Sequence, residues 1–128
     1  MESKEKAPLA EGVNATPYEG TYVVVNGTGT SISNVTVTHT CSNFKDTVVA
    51  EKLSPGQATA AQILHAQTGS NDYWTISFQM GGQSLSRTEK QCNYVQSDSP
   101  STCIIALYAS NFSVITPASA PCLNNSYS

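Results

Sequence analysis

Apolar and polar residues alternate along much of this chain with a period of two. The clearest case is Ser31–Cys41, where the odd positions from Val35 onward are Val, Val, His and Cys, and the even positions are Asn or Thr. A period of two is typical of a strand with one buried face and one hydrated face. The pattern therefore predicts β-strands with one dry side and one wet side.

The same reading divides the chain into eight or nine short strands with turns between them. The predicted strands are Tyr18–Asn26, Ser31–Cys41, Phe44–Leu53, 57–67, Tyr73–Met80, Gln83–Glu89, Lys90–Val95, Thr102–Ser110 and Phe112–Thr116. Asn26-Gly27, Ser54-Pro55-Gly56 and Gly81-Gly82 are turn sequences. Many short antiparallel strands predict an all-β fold, a β-sandwich or a flattened barrel of the jelly-roll kind.

Residues 57–67, QATAAQILHAQ, are the one ambiguous segment. Four alanines and a leucine favour a helix by intrinsic propensity. The segment is short, however, and it follows a predicted hairpin turn between strands that need partners. We therefore predict a strand here.

A length of 128 residues suits one domain. We expect a flexible leader over residues 1–16, a β-sandwich domain over 17–123 and a flexible tail over 124–128. Because the first residues are polar, we expect no signal peptide.

Charge is scarce, and this limits the classes of partner. Charged residues make up 12% of the chain and the net charge is −3, while 17 Ser and 14 Thr supply hydroxyl groups. Such a chain has no basic patch for phosphates, so nucleic acid is not expected as a partner. We expect no cofactor and no metal, because His and Cys are not clustered.

The four cysteines leave their redox state open. Cys92 and Cys103 flank a turn-like segment and are candidates for one disulfide, which would leave Cys41 and Cys122 for a second. All four are candidate disulfide cysteines if the protein is secreted. In a cytoplasmic protein they would be buried thiols.

Five Asn-x-Ser/Thr sequences, at Asn14, Asn26, Asn34, Asn111 and Asn124, would suit a secreted glycoprotein. They also arise by chance in a chain rich in Asn, Ser and Thr. The sequence leaves glycosylation undecided.

Several short motifs, in order, resemble the PUD family of proteins that are up-regulated in long-lived insulin-receptor mutant nematodes and that have fungal relatives. The motifs are Asn34-Val-Thr-Val-Thr-His39, Leu53-Ser-Pro-Gly56, Thr68-Gly69, Asp72-Tyr-Trp-Thr-Ile-Ser-Phe78 and Lys90-Gln-Cys92-Asn93. The likeness runs from about Tyr22 to Cys122. It implies an antiparallel β-sandwich without catalytic residues, of unsettled function, and similar in fold to the lipid-binding aegerolysins. The chain has a single Trp and lacks the Trp-rich face of aegerolysins.

Three consecutive residues are weak candidates for a binding site. Asp72 and Tyr73 would orient a sugar or a lipid headgroup at the rim, and Trp74 would stack on it. The alternative is structural: Asp72 would hold the preceding loop through backbone N–H groups, and Trp74 would pack in the core with Ile76 and Phe78.

The two histidines give no strong catalytic signal. His39 shares the dry face with Val35 and Val37, so we expect a core histidine satisfied by a backbone or hydroxyl partner. A Ser-His-Asp triad from His39 with Asp46 or Asp72 is arbitrary, because no Gly-x-Ser-x-Gly motif accompanies it. We give His65 no role.

The sequence therefore favours a non-enzymatic interaction module that binds itself or another protein through a sheet edge or face, as a homo- or heterodimer. The alternatives are a lipid- or glycan-binding protein of aegerolysin type and a secreted, disulfide-stapled fungal effector or defence protein. The expected location is cytoplasmic, or extracellular if a signal peptide has been removed.

Overall fold

The computed structural model describes residues 15–127, which form two packed β-sheets. The nine strands are β1 (Pro17–Asn26), β2 (Ile32–Cys41), β3 (Phe44–Leu53), β4 (Gln62–Gln67), β5 (Asp72–Met80), β6 (Gln83–Gln91), β7 (Thr102–Leu107), β8 (Phe112–Ile115) and β9 (Cys122–Asn125). A 3₁₀ turn at Gln96–Asp98 precedes β7. The predicted all-β sandwich is confirmed.

One sheet has five strands in the order β4-β1-β7-β8-β9, and the other has four in the order β3-β2-β5-β6. All pairs are antiparallel except β1 with β7, which run parallel. The β2–β3 and β5–β6 hairpins together form the four-stranded sheet. The chain then crosses to the other sheet, where β7 inserts beside β1.

The core lies between the sheets and is formed mainly by alternate residues of β1, β2, β4 and β5, together with consecutive buried residues of β7 and β8. Its largest fully buried side chains are Trp74, Tyr22, Tyr94, Phe78 and Phe112. On β2, Val35, Val37, His39 and Cys41 are buried, as the two-residue period predicts. Burying such alternate apolar side chains is the main term that stabilises a sandwich.

The Gly81-Gly82 hairpin is confirmed, whereas Asn26-Gly27 and Ser54-Pro55-Gly56 do not form hairpins, because each connects strands of different sheets. Gly56 has φ of 79°, and Gly81 and Gly82 have φ of 57° and 84°. Positive φ at both central residues is the twist that joins β5 to β6 in a two-residue hairpin. The segment 57–67 contains β4 at its C-terminal end, so the strand prediction holds for Gln62–Gln67 only.

The predicted break between Gln83–Glu89 and Lys90–Val95 is wrong, and β7 ends at Leu107 rather than at Ser110. Gln83–Glu89 and the start of Lys90–Val95 form one strand, β6, with a register shift opposite Trp74 and Ile76 and positive φ at Glu89. This irregularity hides the two-residue period in the sequence.

The C-terminal segment is also more ordered than expected. Residues 124–128 were predicted as a flexible tail, but Asn124 and Asn125 belong to β9. Tyr127 packs against Phe78 and Phe112, and its hydroxyl donates to the carbonyl of Tyr108. The domain therefore extends to Tyr127. The predicted leader lies outside the described residues up to position 14.

Candidate functional site

The three predicted site residues do not form one site. Asp72 and Trp74 point into the core, with 1% and 0% of their surface exposed, and Tyr73 lies half-buried on the opposite side of β5. Successive residues of a strand face opposite ways, which places Tyr73 apart from its two neighbours. Because Trp74 is fully buried, the predicted stacking of its ring on a ligand is wrong. Its indole instead donates to the carbonyl of Cys92 and packs edge-on against Tyr22.

Asp72 belongs to a buried polar cluster that also contains His39, Asp46 and His65. His39 Nε2 lies 2.6 Å from Asp72 Oδ2, and His39 Nδ1 lies 3.3 Å from Asp46 Oδ2. His65 Nδ1 lies 2.8 Å from Asp46 Oδ1, and the His65 amide donates to Asp46 Oδ2. The cluster therefore joins the two sheets through side chains of β2, β3, β4 and β5.

The expected partner of His39 was a backbone or hydroxyl group, and this expectation is wrong, because two carboxyl groups bind the ring. A neutral imidazole has only one N–H to donate. Both ring nitrogens face carboxyl oxygens, so a neutral ring can donate to only one of them.

Burial raises the pKa of Asp72, and hydrogen bonding and charge from His39 oppose that rise. Within the described residues, Asp72 Oδ1 has no hydrogen-bond partner at ordinary distance. An unsatisfied buried carboxylate oxygen is costly, which favours the protonated acid. The cluster is thus a buried, proton-holding cross-link that His65 and Glu19, 3.4 Å apart, extend towards solvent.

The sequence analysis rejected a grouping of His39 with Asp46 or Asp72, whereas both carboxyl groups contact the His39 ring. A signal for the Asp46 contact was present in the tight turn at Ser42-Asn43. Because Cys41 pairs with Phe44 across that turn, counting back along both strands places His39 opposite Asp46. Asp72 could not be added in this way, since β5 is not joined to β2 by a short turn.

A second buried carboxylate, Asp98, lies in the 3₁₀ turn before β7 and holds two connecting segments together. Its oxygens accept hydrogen bonds from the amides of Val95, Ala118 and Ser119 and from the Ser119 hydroxyl. Burial acts to raise the pKa of Asp98, but these hydrogen bonds outweigh it, and the pKa is lowered. Asp98 thereby ties the segment before β7 to the segment before β9.

Nearby groups respond to burial and to these charges. Burial, with the charges of Asp98 and Cys103, raises the pKa of Tyr94 to about 12. Burial, with the charges of Asp98 and Asp72, raises the pKa of the Cys103 thiol to about 12. Neither group is therefore an ionised nucleophile near neutral pH.

A polar hollow of ≈ 390 Å³ opens at the end of the sandwich where β4 leads into β5 and β6 leads into the 3₁₀ turn. Its lining includes Tyr18, Gln67, Ser70, Asn71, Asn93 and Gln96. Asn93 lies directly above the buried cluster, because its side-chain oxygen accepts from the amide of Asp72. The hollow lies near Asp72, but Asp72, Tyr73 and Trp74, the residues of the predicted rim site, do not line it.

The cysteine pairing differs from both candidate bridges. Cys92 is joined to Cys122, with Cα atoms 6.2 Å apart, and Cys41 and Cys103 are buried thiols. The proposed Cys92–Cys103 hairpin does not form, because β6 and β7 lie in different sheets. The bridge instead links the end of β6 to β9.

The outer faces of the two sheets have different chemistry. On the four-stranded sheet, Thr38 of β2 lies between Thr47 of β3 and Thr75 of β5, and Thr36 lies between the exposed Val49 of β3 and Ser77 of β5. On the five-stranded sheet, Val23 of β1, Ile104 of β7 and Ile115 of β8 are paired in one row. The first face is thus mainly a hydroxyl surface, with Val49 as an isolated apolar side chain. We call the row Val23, Ile104, Ile115, with the flanking Val25 and Ile63, the outer apolar row.

One of the five Asn-x-Ser/Thr sequences is unsuitable for a glycan in the folded chain. Asn26 is fully buried, and its amide donates to the carbonyls of Thr30 and Leu53. Asn34 and Asn124 are exposed.

No group of three or more His, Cys, Asp or Glu side chains suited to a metal ion is present in residues 15–127. The same part of the chain contains no helix with the length and apolar character of a membrane span. Comparison of the sequence with protein-family models and with curated proteins finds no match. The likeness to the PUD family therefore stays a prediction.

Proposed function

We propose that this chain is a non-enzymatic interaction module that binds a second copy of itself through the outer face of its five-stranded sheet. The observation that carries the proposal is the exposed outer apolar row. Ile63 is 51% exposed and Ile104 is 37% exposed, and both lie on that face. Contiguous exposed apolar side chains mark interaction surfaces in soluble domains.

The distribution of charge supports this face over the edges of the other sheet. Within residues 15–127, the basic side chains are Lys45, Lys52, Arg87 and Lys90. All four lie on β3 and β6, the two edge strands of the four-stranded sheet. Charged residues on edge strands oppose pairing with another chain. The five-stranded sheet has neither a lysine nor an arginine in its described strands.

A second copy is the occupant that the chemistry fits best. In a two-fold contact the same surface patch is used on both copies, so a face without like charges suits self-association. The outer apolar row carries no charge, and Glu19 lies at one corner of the sheet. Four strands of about six residues cover on the order of 400 Å². Since a stable dimer needs about 800 Å² per partner, we expect weak, concentration-dependent association.

Sedimentation equilibrium over a wide concentration range tests this proposal. The wild-type average mass should rise from one chain towards two as concentration increases. Ile104→Lys should stay at the mass of one chain, because the lysine places like charges in the contact. Val49→Lys is the matched control, since Val49 is 66% exposed on the other outer face, and it should behave as wild type.

Two results would contradict self-association through this face. One is a wild-type mass that stays at one chain throughout the range. The other is an equal loss of association in both lysine variants when their melting temperatures match that of wild type. A wild-type monomer that gains mass only in cell extract would point to a different protein as partner and would also reject the self-association.

The Cys92–Cys122 disulfide favours the secreted alternative for location over the cytoplasmic one. Disulfides persist in oxidising compartments and are rare in the cytosol. We therefore place the module in an oxidising compartment. Mass spectrometry of the native protein under non-reducing conditions should find one bridge and two thiols. Four thiols would instead support the cytoplasmic location.

A further inference from the structure

The polar hollow has the composition of a site for a neutral ligand. Among the described residues, those that line it carry amide, hydroxyl, aromatic or small side chains, and none is charged. Phosphate and carboxylate ligands are usually held by Arg, Lys or a helix terminus, and cations by carboxylates. The lining therefore selects against ions and for uncharged polar groups.

Internal hydrogen bonds hold the amides of the hollow in place. Asn93 accepts from the Asp72 amide at 2.8 Å and donates to Asn71 Oδ1 at 3.2 Å. Gln67 Nε2 donates to Ser70 Oγ at 3.3 Å. Side chains fixed by their neighbours lose less entropy when they bind a ligand.

Each of these amides keeps hydrogen-bonding capacity beyond its internal partner. A primary amide has two N–H donors and an oxygen with two lone pairs. The amide groups of Asn71 and Asn93 thus have N–H groups left over, and Gln67 has its oxygen. Donors and acceptors placed side by side match vicinal hydroxyl groups, each of which both donates and accepts.

An apolar part of the wall accompanies the amides. Tyr18 is half-buried, its hydroxyl donates to the Tyr94 carbonyl at 2.8 Å, and its ring stacks on that of Tyr94. Val95 also lines the hollow. A sugar ring has apolar C–H groups as well as hydroxyls, so it suits a wall that combines a fixed aromatic ring with amides.

We infer that this hollow binds a neutral saccharide unit, with Asn71, Asn93, Gln67 and Gln96 holding its hydroxyl groups and Tyr18 contacting its C–H face. The volume of ≈ 390 Å³ lies within the range of small-molecule sites. This inference does not depend on self-association, which uses the outer apolar row. A free oligosaccharide and the sugar headgroup of a neutral glycolipid would present the same chemistry.

Titration of the full-length protein, followed by ¹⁵N NMR, tests the inference. The soluble probes are the neutral trisaccharides of glucose, N-acetylglucosamine, mannose and galactose, each raised to ~10 mM. At least one should shift the amide signals of residues 67–71 and 93–96 together and saturably. Vesicles of phosphatidylcholine with and without glucosylceramide form the second arm, and binding only to the glycolipid vesicles would identify the membrane as the source of the sugar.

Two variants and a control locate the binding. Gln96→Ala and Asn71→Ala should each weaken the affinity at least tenfold, because each removes an amide from the wall. Gln83→Ala is the control, since Gln83 is exposed at the opposite end of β5, beside the β5–β6 turn, and it should bind as wild type. The inference is overturned if no probe or vesicle binds. It is also overturned if binding survives unchanged in both wall variants.

Discussion

Tyr22 shows how one side chain joins the two sheets. It lies on β1, is fully buried, and its hydroxyl lies 2.9 Å from both the Val37 carbonyl of β2 and the Asp46 carbonyl of β3. Burial and the charge of Asp46 raise its pKa. The hydroxyl therefore stays protonated and acts as a donor between sheets that are otherwise held together by apolar contact.

Tyr22→Phe should lower the free energy of unfolding by about 1–2 kcal/mol, because it leaves buried carbonyl oxygens without this donor. Urea denaturation at neutral pH measures the change. Tyr73→Phe is the control, because Tyr73 faces outward on β5, and it should cost far less. Equal losses in the two variants would contradict the cross-link.

Asp98 gives a prediction about how the stability of the protein changes at acidic pH. Its pKa is lowered in the folded chain, so its contribution to stability is present above the unfolded pKa of 3.8 and is lost as pH falls through the folded value. Asp98→Asn should therefore be less stable than wild type at pH 7, and the difference should shrink below pH 4. Urea midpoints from pH 7 to pH 2.5 measure this. A difference that stays constant or widens on acidification would refute the role of the carboxylate.

The pKa of Asp72 is shifted in the opposite direction to that of Asp98. Its pKa is raised in the folded chain, so its contribution to stability is fully present below pH 3.8 and is lost as pH rises through the folded value. Acidification therefore changes the contributions of Asp72 and Asp98 to stability in opposite directions. Single variants are needed to measure each contribution, because the pH profile of the wild-type protein gives only their sum.

At the scale of elements, the two-residue period predicts a strand well where its pairing with the adjacent strands is regular. The boundaries of β3 match the prediction, and those of β1, β2 and β5 differ by one residue. The period fails at β6, where an irregular register interrupts it, and at β9, a short edge strand of four residues of which none is buried. Short edge strands have one partner and few buried positions, so their sequences carry little pattern.

The candidate site was predicted less well than the strands. Asp72 is buried and does not line the hollow, and the grouping with Trp74 ignored the alternation that sends Tyr73 the other way. The wall of the hollow comes from Tyr18, residues 67–71 and residues 93–96. These segments meet only after the sheets have formed, and no local pattern indicates that meeting.

The Cys92–Cys122 bridge is expected to stabilise the fold by holding β9 in place. It closes a separation of 30 residues and holds the short strand β9 to the end of β6. A loop of that length corresponds to about 3–4 kcal/mol in the chain-entropy account. Reduction, or the Cys92→Ala, Cys122→Ala double variant, should lower the free energy of unfolding by about that amount.

Denaturation with and without reductant measures the effect of the bridge. The double variant supplies its own control, because reductant should not change its stability further. A wild-type protein that is equally stable in both states would show that β9 is held by its other contacts, such as the packing of Tyr127 on Phe78 and Phe112.

At the scale of the whole molecule, the two sheets present unlike surfaces and divide the roles between them. The four-stranded sheet has hydroxyl groups on its outer face and basic residues on both edges, which keep it hydrated and discourage pairing. The five-stranded sheet exposes Val23, Ile104 and their neighbours. The polar hollow opens at one end, where loops from both sheets meet.

Amide chemical shifts measured by NMR during serial dilution test this division most directly. The account predicts that concentration-dependent shifts concentrate on β1, β7 and β8, at Val23, Ile104 and Ile115, and leave Thr36 and Thr38 of β2 unchanged. Spectra that do not change with concentration, or changes that centre on β2 and β5, would contradict it.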